Sequence, residues 1–88
     1  MLFIGLVKWR KKPTQAMLAQ TMKILEDLKK EGGKTLGVYW TLGRYDAVVI
    51  IEAKDEKTAM KYAIQFADTS PMEILIGVPR EEAIKLLA

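Results

Sequence analysis

The residues best equipped for chemistry are Gly43-Arg44-Tyr45-Asp46, which set a guanidinium, a phenol and a carboxylate side by side, with the indole of Trp40 shortly before them. A guanidinium can hold an anion, a phenol and a carboxylate can exchange protons, and an indole can cover an apolar ligand. A turn also has ordinary reasons to use these residues: glycine takes a positive φ, Arg and Asp are solvated, and Tyr packs on a sheet edge. Consecutive residues of an extended chain point to opposite faces, so Tyr45 and Asp46 can share one cavity only if the chain bends there. We expect Trp40, Arg44, Tyr45 and Asp46 to shape the mouth of a pocket for a small organic ligand, with Gly43 making the turn. No catalytic residue is assigned.

Two other groups carry weaker signals. Lys8-Trp9-Arg10-Lys11-Lys12 interleaves cations with an aromatic ring, as single-strand nucleic-acid platforms do. One short run in a chain of net charge +3 reads instead as a solvated loop, which argues against a nucleic-acid partner. Glu52 and Glu73 could pair as carboxylates on one sheet face, although charges that guard the ends of an interface are the simpler reading.

Composition removes several chemistries. The 88 residues contain no histidine and no cysteine, hence no disulfide, no thiolate, and neither the usual haem ligand nor the commonest zinc ligand. We expect no metal and no cofactor, and the cytoplasm as the default compartment. The N-terminal apolar run is short and interrupted by Lys8, which argues against a secretory leader, and no run approaches the roughly 20 residues of a membrane helix. Lys/Glu richness without Asn, Cys or His is a hint of a thermophile source.

The elements that must position these residues follow from periodicity. Leu2–Trp9 is apolar at odd and even positions and predicts a buried strand. Pro13-Thr14 opens a helix to about Glu31, with Leu18, Met22, Leu25 and Leu28 as its apolar face and Gly32-Gly33 as its stop. Lys23, Glu26, Asp27 and Lys30 lie on the other face as a solvated charge cluster. Thr35–Thr41 and Asp46–Ala53 form a hairpin through Leu42-Gly43-Arg44. Asp55 caps a helix from Glu56 to about Asp68 with Ala59, Met60, Ala63, Ile64 and Ala67 as its stripe. Met72–Val78 is a fourth strand after Pro71, and Pro79 opens a terminal helix. Residues 1–88 thus form one α+β domain of ferredoxin-like βαββαβ order, a four-stranded antiparallel sheet with two helices on one face and a C-terminal helix.

Two helices cover one sheet face, yet the strands are apolar on both. We assign Ala47, Val49, Ile51 and Ala53 to the helices, and Val48 and Ile50, flanked by Asp46 and Glu52, to the outer face. Four strands about 20 Å long give an outer footprint on the order of 400 Å². That reaches the largest apolar patch of a typical monomer, so we expect the chain itself as partner, as a homodimer or a larger even assembly with Val48 and Ile50 in the interface.

The stretch Tyr39-Trp-Thr-Leu-Gly-Arg-Tyr-Asp-Ala-Val-Val-Ile-Ile-Glu-Ala53, with Asp55-Glu56, Ala59-Met60 and the closing Pro79–Leu87 segment, resembles the GYD domain, whose letters fall on Gly43, Tyr45 and Asp46. The resemblance covers most of the chain. It departs after the first strand, where Trp9-Arg-Lys-Lys12 replaces the threonine-x-x-glycine turn usual in relatives. It implies a dimeric α+β barrel without naming an activity. Two function classes remain: a small-molecule-binding or regulatory module similar in principle to the ligand-binding domains of Lrp/AsnC regulators, and a cofactor-free oxygenase or isomerase using Tyr45, Asp46 or Trp40. A purely structural self-associating protein is the third.

Overall fold

In the computed structural model, which describes residues 1–87, the order is β1 (Leu2–Val7), α1 (Gln15–Lys30), β2 (Lys34–Trp40), β3 (Ala47–Glu52), α2 (Glu56–Phe66), β4 (Met72–Gly77) and a terminal segment of α3 (Arg80–Ala83) and a 3-10 turn (Ile84–Leu87). The strands form one antiparallel sheet ordered β2-β3-β1-β4, so the architecture is ferredoxin-like α+β as expected.

Both long helices begin where a side chain can take up a free backbone donor. Thr14 accepts from Met17 N–H at 3.2 Å, and Asp55 accepts from Thr58 N–H and Thr58 Oγ1 at 2.8 Å each. Such caps are worth about 1 kcal/mol apiece. Gly32, at φ +88°, ends α1, while Gly32 and Gly33 N–H donate to the Lys29 and Leu28 carbonyls.

The two sheet faces separate as their alternation predicts. Phe3, Ile51 and Ile74 meet Ile24, Leu28, Ala59 and Tyr62 in the core. Leu2, Ile4 and Leu6 pair in register with Glu52, Ile50 and Val48 on the other face, all but Glu52 half-buried in the single chain.

The helix stripes need correction. Met22 is exposed, as are Met60, at 60%, and Ile64, while the buried residues are Ile24 and Leu28 in α1 and Thr58, Ala59 and Tyr62 in α2. In α2 the buried side is turned from the expected stripe, and Thr58 and Tyr62 bury their polar groups there against partners. Thr58 Oγ1 donates to Asp55, and Tyr62 Oη donates to Glu31 at 2.8 Å. Burial and the Glu31 carboxylate push the Tyr62 phenol up to about 12. Glu31 also receives Lys61 at 2.7 Å; those two hydrogen bonds hold it below its ordinary value. Lys23, Glu26, Asp27 and Lys30 form no ion pair among the described residues.

Element boundaries also differ. Regular pairing of β1 stops at Val7 rather than Trp9, the hairpin loop spans 41–46 rather than a tight three-residue connection, and α2 ends at Phe66 rather than Asp68. Thr41 braces the loop, its N–H donating to Asp46 O at 2.9 Å and its hydroxyl to Tyr45 O at 2.7 Å.

Candidate functional site

The chain beyond β1 runs on beside the approach of β4. Lys8 and Arg10 N–H donate to the Pro71 and Thr69 carbonyls, so one edge of this segment remains zipped to the approach of β4. On the other edge the hairpin loop has turned away and no β3 carbonyl faces Trp9. Asp46 supplies the substitute: its Oδ2 accepts the Trp9 N–H at 2.8 Å. A carboxylate thus replaces a ladder carbonyl, in a charge-assisted hydrogen bond.

That clasp fixes the indole of Trp9 against Trp40, edge to face, with ring centroids 4.9 Å apart and planes at 77°. Beneath the pair lies a cavity of about 80 Å³ between the first half of α1 and the helix-facing side of the sheet. Val7, Ala47, Val49 and Met72 form its floor, and Met17, Leu18, Thr21 and Leu25 its helical wall. Thr21 and Ser70 are its polar lining side chains apart from the indoles, and no charged residue contributes. A smaller space of about 30 Å³ continues along the sheet and shares Leu25, Val49, Phe66 and Met72 with the first. The arrangement can hold a small apolar body, with the Thr21 and Ser70 hydroxyls as its polar groups beside the indoles.

Of the residues singled out in the sequence, Trp40 lines the cavity and Arg44, Tyr45 and Asp46 do not. Asp46 acts on the mouth through Trp9. Tyr45 goes the other way, donating to Glu73 Oε2 at 2.8 Å, and that carboxylate holds its phenol above the ordinary tyrosine value. Glu73 pairs in register with Leu6, so this bond lies toward the outer sheet face. The bend at Asp46 is present, yet it sends the two side chains to different tasks. Arg44 offers its carbonyl to Lys8 Nζ at 2.7 Å. Gly43 sits at φ +114°, which strongly favours glycine. Glu52 and Glu73 do not pair: they align with Leu2 and Leu6, about 13 Å apart along β1 and on opposite sides of it. Among the described residues no three Asp or Glu side chains gather as a metal site, and no helix is long and apolar enough to cross a membrane.

Sequence reasoning missed Trp9, Val7, Met17 and Met72 as cavity residues. The aromatic inside the basic run was a usable signal, since Trp9 follows β1 on the same side as Phe3 and Val7.

Element order, strand pairing and a single helix-covered face define a ferredoxin-like α+β domain with an apolar cavity under paired indoles. The chain belongs to the GYD domain family, whose model matches residues 3–87. No curated protein and no solved structure matches it.

Proposed function

We propose that this chain is a small-molecule-binding module whose occupant sits under Trp9 and Trp40, and that it works as a homodimer through the outer sheet face carrying Val48 and Ile50. The observation that supports the binding reading is the cavity itself: interiors normally pack with few voids, and this one is apolar, open at one end and roofed by two tryptophans. An apolar cavity of about 150 Å³ accommodates benzene. At about 80 Å³ the space takes a smaller body, or an aromatic ring if Met17 and Met72 shift. The absence of lining charge favours neutral compounds, or a carboxylic compound whose charged end stays outside the mouth. Of the groups the oxygenase or isomerase reading would use, Trp40 lines the cavity and Tyr45 and Asp46 do not.

The test is titration with indole, benzoate and a short aliphatic carboxylic acid, followed by tryptophan fluorescence and thermal shift. Saturable quenching with a raised melting temperature is expected in the wild type. Thr21→Leu should fill the space and abolish binding without lowering stability, because leucine is the better helix former. If no compound binds, or if Thr21→Leu binds as well as the wild type, the cavity is a packing gap and the reading fails.

A further inference from the structure

The terminal segment Arg80–Leu87 contributes no residue to the buried core. Leu86 is 80% exposed and Leu87 is 87% exposed, with Ile84 and Val78 also exposed beside them. The segment leaves the end of edge strand β4 at Gly77, next to Leu2 at one end of the outer sheet face. The molecule is drawn out to 48 × 32 × 17 Å, with a radius of gyration of 13.7 Å where about 12 Å is usual for this length. Two leucines this exposed leave apolar surface on the arm that its own chain does not bury.

We propose that this arm is an exchanged clasp: in the homodimer, Ile84, Leu86 and Leu87 pack on the second copy at the rim of the sheet-to-sheet contact. The inference rests on the dimer reading above and goes beyond it by assigning the arm's occupant. Area decides in favour of a second copy. The outer face supplies on the order of 400 Å² per chain, whereas a stable interface of standard size buries about 800 Å² per partner. Each aliphatic side chain of the arm can remove on the order of 60 to 120 Å² of apolar surface from water. Three of them from each chain make up much of the shortfall, and two-fold symmetry makes the exchange reciprocal. The sheet face alone forms a weak dimer; face and arm together form a stable one.

The test compares the full chain with a double variant, Leu86→Ser with Leu87→Ser, by light scattering over a dilution series and by circular dichroism. The dissociation constant of the dimer is expected to rise about tenfold or more, with the monomer's fold unchanged because both leucines are exposed in it. In parallel, Leu86→Cys gives this cysteine-free chain a single thiol for a photo-cross-linker, which is expected to join two copies. A wild type that stays a single chain at all concentrations overturns the dimer and the clasp together. A dimer that the double variant leaves unchanged overturns the clasp alone. So does a cross-link confined to the arm's own chain, or an intact dimer with no cross-link between copies.

Discussion

The two faces of the sheet are built from the same strands, yet they end differently. On the inner face Phe3, Ile51 and Ile74 are closed over by Ile24, Leu28, Ala59 and Tyr62, with two small cavities beside them. On the outer face Leu2, Ile4, Leu6, Val48 and Ile50 stand half-buried on the side away from the helix-packed core, and carboxylates mark two corners at Glu52 and Glu73. Hydrophobicity does not separate the faces, since both are aliphatic. The separation comes from chain crossing, because right-handed connections put both helices on one side and leave the other without a helical cover.

Paired substitutions sharpen this contrast, beginning with the largest effect. Leu28→Ala, at the centre of the covered face, should lower stability by about 2 to 5 kcal/mol in denaturant unfolding. Ile50→Asp, on the bare face, should instead leave a folded chain that associates far more weakly in light scattering. Should Ile50→Asp unfold the protein as Leu28→Ala does, the assignment of faces is inverted.

A middle-sized effect is expected at the point where the hairpin serves both faces. Asp46→Ala removes the acceptor of the Trp9 N–H and should cost about 1 to 2 kcal/mol while shifting the tryptophan emission toward that of solvated indole. Tyr45→Phe breaks only the bond to Glu73 and should leave the emission unchanged. Equal spectral changes in both variants would show that Asp46 does not hold the cavity's roof.

The smallest effect concerns acid. Thr58 N–H and Oγ1 hold the Asp55 carboxyl below its ordinary value, and Lys61 and Tyr62 do the same for Glu31. Both carboxylates take up protons at higher pH in the unfolded chain than in the folded one. Their stabilisation is therefore complete above the unfolded values and is lost as pH falls through the folded ones. The melting temperature should decline once pH drops below about 4.5, and Asp55→Asn should flatten that decline. An equally steep acid limb in Asp55→Asn would remove Asp55 from the account.

Much of the fold was legible in the sequence because its determinants are local. Thr14, Asp55 and Gly32 act on donors or torsions within a few residues of themselves, and Gly43 does the same in the hairpin. The sorting of Val49 from Ile50 follows from the pleat and from the charges flanking one set. The helix stripes were misread at Met22, Met60 and Ile64, because a helix with spare apolar residues can dock at more than one rotation. Which rotation wins depends on distant partners, such as Glu31 accepting from Tyr62.

The candidate site divides in the same way. By itself the sequence determined that a bend, an aromatic and a carboxylate fall together around Gly43, since these are neighbours along the chain. Only the tertiary structure decided that Asp46 clasps Trp9, that Trp9 meets Trp40 over a cavity, and that Tyr45 turns toward Glu73. Those contacts join residues some 30 positions apart, and strand register brings them together only after β1 has been threaded between β3 and β4.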